Sequence, residues 1–144
     1  MARSRRQIAI EHGLRFVGKP YIHGGQGPVG LDCSGLITEI SRAVGLIGRK
    51  FDLSAQGFYN RFQKYEVDIP IPGSFVFFGR TRDKITHMGM VVEITQCGEA
   101  LVLEAAGGDR DTKTPLQAQK HDAMVTIRPL RGDMLAFVDV FKQE

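Results

Sequence analysis

The sequence predicts an α+β domain in which N-terminal helices pack on a curled antiparallel β-sheet. Three observations carry that expectation. Helical signals come first in the chain and short β-rich runs follow. The two kinds of element are segregated rather than alternating, which argues against the parallel sheet of a doubly wound fold. The chain has 144 residues, 42% hydrophobic and 24% charged, a size and balance that suit a single domain over 1–144 with one core.

Ser4 and Gln7 have the spacing of a capping box, and Ile8, Leu14 and Val17 follow as a loose helical stripe, so a first helix is predicted over residues 4 to 18. Residues 21 to 30 hold Gly24, Gly25, Gly27, Pro28 and Gly30, a loop able to approach other groups closely. Apolar residues at 33, 36, 37, 40, 43 and 44 then give a 3.6-residue period, with Gly45 as a stop. Ser54 caps a third, shorter helix to about Phe62, with Phe58 and Phe62 on one face. After Pro70 and Pro72 the runs 74–78, 87–95, 100–105, 124–129 and 135–141 read as strands. Residues 107 to 119 are polar and irregular and are assigned to a functional loop. No internal repeat is visible.

Composition excludes several classes. Nineteen Lys plus Arg against 16 Asp plus Glu give a net charge of +3, too weak and too interleaved to imply nucleic acid. With only Cys33 and Cys97, neither a disulfide-stapled scaffold nor a four-cysteine zinc site is available. No apolar run approaches the ~20 residues that span a bilayer. Arg3, Arg5, Arg6, Glu11 and His12 interrupt the N-terminus, so no signal peptide is read and synthesis in the cytoplasm is expected.

Cys33 opens the best helix directly after the glycine-rich loop, where unpaired N–H groups and the helix dipole favour a nucleophilic thiolate. Asp32 and Ser34 flank it, and Gly35 lets another segment come close, an odd setting for a cysteine that only fills a core. A thiolate needs a base. Of the four histidines, His12 reads as a surface helix residue and His121 has little to recommend it. His23 lies in the glycine-rich loop, and His87 opens a strand with Gly89 on the same face. Glu104 ends the next strand with a carboxylate after an apolar run. Pairing symmetric about the turn 96–99 sets it opposite Val91, on the face of His87 but four residues away, about 13 Å. A register shift of two would halve that distance, and a shift of one would turn Glu104 to the wrong face.

With these residues in view, the chain resembles the bacterial and phage NlpC/P60 cysteine peptidases, a circularly permuted branch of the papain-like fold. Gly18-Lys19-Pro20-Tyr21-Ile22-His23-Gly24-Gly25 is similar to a G-x-P-Y-x-W-G-G block, with His23 in place of tryptophan. Leu31-Asp32-Cys33-Ser34-Gly35-Leu36 matches the nucleophile block. Pro72-Gly73-Ser74-Phe75-Val76-Phe77-Phe78 resembles P-G-D-L-V-F-F with Ser74 at the aspartate, and His87-Met88-Gly89-Met90-Val91 resembles H-V-G-I-Y. The resemblance implies an endopeptidase acting on peptidoglycan stem peptides, with Cys33 as nucleophile, His87 as general base, and Tyr21, Asp32, Ser34 and His23 lining the substrate site. It implies no metal or organic cofactor. Glu104 stands where the family usually has His, Asn or Gln, and a carboxylate there should orient the imidazole and raise its pKa.

Glu104-Ala105-Ala106-Gly107-Gly108 and the run 125–129 look more like phage-associated members, so peptidoglycan peptides and phage tail proteins are the expected partners. Action at the bacterial wall as an endolysin or tail-associated lysin follows. Three other readings stay open: a non-catalytic domain that binds wall peptides, a papain-like amidase or acyltransferase acting on another substrate, and, least supported, a zinc site from Cys33, His87, His23 and Asp32.

Overall fold

The computed structural model describes residues 2–27 and 30–142. Helix α1 spans Arg5–Leu14, and both halves of its capping box form: the Gln7 N–H donates to Ser4 Oγ at 3.1 Å and the Ser4 N–H to Gln7 Oε1 at 3.1 Å. It stops four residues short of the predicted end. The N–H groups of Arg15, Phe16 and Val17 bond three residues back rather than four, so the stripe continues in tight turns. The glycine-rich loop contains a small hairpin, β1 (Gln26–Gly27) and β2 (Gly30–Leu31); Pro28, part of the loop expectation, lies outside the described residues. Helix α2 spans Cys33–Ala43 and α3 spans Ala55–Phe62, capped by Asp32 and Ser54 as their sequences require.

Six strands form one antiparallel sheet in the order β3-β8-β4-β5-β6-β7. They are β3 (Glu66–Val67), β4 (Phe75–Gly79), β5 (Ile85–Ile94), β6 (Ala100–Ala106), β7 (Met124–Pro129) and β8 (Met134–Val138). The last strand was expected to reach 141, but Asp139 turns the chain, its Oδ1 accepting from the Phe141 N–H. Within the expected loop 107–119 a short helix α4 (Pro115–Lys120) begins, capped by a second box of Thr114 and Gln117 with Pro115 in its first turn. The sequence reading passed over that signal.

One sheet face sends Phe75, Phe77, Met88, Met90, Leu103 and Val125 into a core shared with Leu36, Ile37 and Ile40 of α2 and with Phe58 and Phe62 of α3. Val76, Phe78, Val91, Val102 and Phe137 form a smaller cluster. Alternation along each strand thus splits the sheet into two apolar faces. Ser74, at the position of the family's aspartate, is buried and its Oγ accepts the Ile71 N–H at 3.1 Å. A short hydroxyl there supplies the local turn bond that an aspartate could also supply.

Candidate active site

Cys33 is the first residue of α2, and Asp32 fixes that start. Asp32 Oδ1 accepts the Gly35 N–H at 2.7 Å, and Oδ2 accepts the Gly24 N–H at 2.9 Å. The carboxylate therefore caps the helix and ties the glycine-rich loop to it. The Ser34 hydroxyl lies 3.4 Å from the same Oδ1. Gly35 is needed for contact rather than for an unusual φ: a Cβ there would sit 1.9 Å from the Gly25 carbonyl oxygen. Two segments close in sequence thus hold the sulfur in place.

His87 arrives from the sheet. It lies between two irregularities of β5, where Thr86 and Val92 are extra residues relative to β4 and β6. Such bulges re-aim the side chains beside them. The sequence expectation that Glu104 pairs with Val91 is corrected here, because Val91 pairs with Val102 and Met90 with Leu103. The hairpin closes one residue tighter than symmetry about 96–99, with Ile94 opposite Ala100, and the bulge at Val92 adds a second step. The sum is the shift of two that restores parity and brings Glu104 beside Gly89. A Cβ on Gly89 would lie 3.2 Å from Glu104 Cβ and 2.8 Å from the Leu103 carbonyl oxygen.

His87 Nε2 and Glu104 Oε1 are 3.0 Å apart, and Glu104 is buried. With Nε2 so engaged, Nδ1 is the nitrogen left to serve Cys33, which lines the same cavity as the ring. Burial pushes the imidazole pKa down, but the hydrogen bonds and charges of Cys33 and Glu104 outweigh it and push the value up to about 9. Burial likewise opposes ionisation of Glu104, yet hydrogen bonds from His87 and Arg128 hold its pKa below the ordinary carboxylate value. Arg128 Nη2 donates to Glu104 Oε1 at 2.7 Å, and Arg131 Nη1 approaches the same oxygen at 3.7 Å.

Cys33 and His87 open on one cavity of about 310 Å³, whose wall also includes Tyr21, Thr86, Gly108, Arg128 and Arg131. Burial, then the charges of Cys33, Asp32 and Asp109, push the Tyr21 pKa up to about 12, so its hydroxyl keeps its proton as a donor. His23 is exposed and is not part of that wall; its backbone N–H donates to the Thr112 carbonyl at 2.7 Å and tethers the 107–114 segment. The structure thus gathers Cys33, His87, Glu104 and Tyr21, with Asp32 and Ser34 behind Cys33. Sequence reasoning missed Arg128 and Arg131. Only the β6–β7 register, in which Glu104 faces Thr126, could have found Arg128 two residues farther on. Among the described residues, no group of three or more His, Cys, Asp and Glu side chains is placed to hold a metal ion, and no helix is long and apolar enough to cross a membrane.

Comparison with solved structures returns the same fold. The P60 domain of a Mycobacterium avium paratuberculosis antigen aligns at 19% identity with a TM-score of 0.66, covering 93% of this chain and 91% of that one. RipB of Mycobacterium tuberculosis, a peptidoglycan hydrolase, aligns at 24% identity and TM-score 0.65 over 98% of this chain and 69% of its own. RipD of the same organism, described as a non-catalytic domain adapted to peptidoglycan binding, aligns at 20% identity and TM-score 0.65 over 95% and 98%. The family model for NlpC/P60 matches residues 18–136, which contain every residue of the site just described, and the chain therefore belongs to the NlpC/P60 family.

Proposed function

We propose that the protein is a cysteine endopeptidase that hydrolyses amide bonds in peptidoglycan stem peptides. One observation carries the reading: a cysteine at a helix start and an imidazole hydrogen-bonded to a buried carboxylate line the same open cavity. The Cys33 thiolate attacks the amide carbonyl carbon and the carbonyl π electrons move to oxygen. Free N–H groups of the first turn of α2 and the protonated Tyr21 hydroxyl are the donors available to that oxyanion. Collapse breaks the C–N bond as the His87 imidazolium gives its proton to the leaving nitrogen, which leaves a thioester. Water, deprotonated by the now neutral His87, attacks the thioester and regenerates the thiolate–imidazolium pair. Glu104 holds the ring and offsets its charge.

Both Cys33 and His87 are present, which favours this reading over a wall-binding role of the kind described for RipD. The test is digestion of purified peptidoglycan by the wild type and by Cys33→Ala, with mass spectrometry of the fragments. New amino and carboxyl ends are expected with the wild type alone. A wild-type protein that sediments with the wall and releases no fragments would sink the hydrolase reading in favour of the binding one. Delivery by a phage, at lysis or on the virion tail, belongs to the same proposal. It is supported by the resemblance of segments 104–108 and 125–129 to phage-associated members, and proteomic analysis of purified virions and of lysates tests it.

A further inference from the structure

Two arginines line the cavity beside Cys33 and His87, and among the described residues no Asp or Glu side chain shares that wall. Arg128 is on β7, opposite Val102, and reaches diagonally across to Glu104. Arg131 follows in the turn before β8. Its guanidinium carbon lies 4.4 Å from the centre of the Phe78 ring, and Phe78 in turn lies 5.4 Å from the ring of His87. The ring's quadrupole holds the Arg131 cation over the Phe78 face.

The charges do not balance locally. Glu104 is one buried carboxylate shared by Arg128, Arg131 and His87, through the same Oε1. Asp133 approaches Arg131 Nε at 3.3 Å, but it is 70% exposed and its pull is screened by water. The acidic groups that act on the cavity from elsewhere, Asp32 and Asp109, bear on Tyr21, and both Asp32 oxygens already accept backbone N–H groups. The Arg128 and Arg131 side chains remain 42% and 43% exposed, open to a ligand. Beyond Arg128 the cleft continues into a second cavity of about 160 Å³ along β7, bounded by Ala106, Gly107, Asp122, Met124 and Thr126.

We propose that Arg128 and Arg131 form a carboxylate subsite on the β7 side of the cleft, so that the preferred peptide carries a free carboxylate there rather than its primary amide. The inference rests on the peptidoglycan-peptide reading for its ligand class. Guanidinium–carboxylate pairs gain both charge and paired hydrogen bonds, and the uncharged amide, which turns N–H groups toward the arginines, loses both.

Binding tests it without relying on turnover. Stem peptides with free carboxylates, and the same peptides amidated, are titrated calorimetrically into the full chain carrying Cys33→Ala. The amidated peptide is expected to bind about tenfold more weakly, the loss of one half-exposed charge-assisted contact. Adding Arg131→Gln should collapse that ratio toward one by weakening the carboxylate peptide, a change in selectivity that a general folding defect would not produce. Equal affinities in the Cys33→Ala protein, no binding of either peptide, or a ratio that survives Arg131→Gln would overturn the subsite. Fragment release by the wild type is read separately: cleavage without selectivity removes the subsite alone, and selectivity without cleavage removes the hydrolase reading alone.

Discussion

The nucleophile side of the site and the acid-base side are built in different ways. Cys33 is positioned by neighbours in sequence: Asp32 caps its helix, and Gly35 lies against Gly25 ten residues earlier. His87 and Glu104 are 17 residues apart, and Arg128 is 24 beyond Glu104; their meeting depends on two strand registers and on the bulge at Val92. The first construction survives small changes elsewhere in the fold. The second is set by the count of residues in a ladder, where a slip of one turns a side chain to the other face.

The largest effects should come from filling the contact glycines on the two sides. In Gly35→Ala the new methyl would meet the Gly25 oxygen at 1.9 Å, and in Gly89→Ala it would meet the Leu103 oxygen at 2.8 Å. Both obstacles are backbone, so the strands or loops must move. Gly35→Ala is expected to abolish fragment release together with a clear loss of thermal stability, since it separates the loop from α2. Gly89→Ala is expected to reduce activity by at least about tenfold, because misplacement by an ångström is enough to do so, with β6 displaced from β5. Near-wild-type activity in Gly89→Ala would show that Glu104 needs no close register to serve His87.

The same contrast sets how much was legible in the sequence. Caps and helix faces are local, so Ser4 with Gln7 and Ser54 could be read directly, and the segregation of helices and strands led to the antiparallel sheet. Asp32 reads in the sequence only as a polar flank of Cys33, not as the cap that it is. Helix α4 carries an equally local signal at Thr114, Pro115 and Gln117, but its six residues left no apolar period to notice. Parity put Glu104 on the face of His87, while the distance came out too long because a bulge leaves no mark in a single sequence. Arg128 and Arg131 stayed hidden for the same reason, compounded across one more strand and a turn.

Titration sharpens the comparison with a smaller effect. The His87 pKa of about 9 lies above the ~6.5 of an unfolded histidine, so its contribution to stability is full below about 6.5 and fades as pH rises through 9. Glu104 is shifted the other way, so its contribution is present above the unfolded carboxylate value and is lost as pH falls through its lowered folded pKa. Fragment release should show an alkaline limb near 9, where the imidazolium that protonates the leaving nitrogen is lost. Glu104→Gln keeps an acceptor oxygen but removes the charge. It should retain partial activity, about a tenth to a hundredth by analogy with partners that orient a reactive histidine, and move the alkaline limb down. A pH–rate profile of the two proteins decides the matter: an alkaline limb that does not move would mean that Glu104 does not set the charge state of His87.

The smallest effect concerns Asp32 and separates a supporting role from substrate binding. Both of its carboxylate oxygens accept backbone N–H groups, from Gly35 and Gly24, and these bonds predict a supporting role. Asp32→Ala should cost about 1 kcal/mol of stability, the usual loss for an N-cap, and for a domain of this size that is a fall of about 3 °C in Tm. Asp32→Asn retains one oxygen for the Gly35 N–H and is expected to recover most of that loss, and with it the KM of the wild type. A carboxylate that gripped substrate directly would behave otherwise. Asn would then restore Tm while leaving KM raised, and calorimetric unfolding paired with peptide kinetics on the two variants tells these outcomes apart.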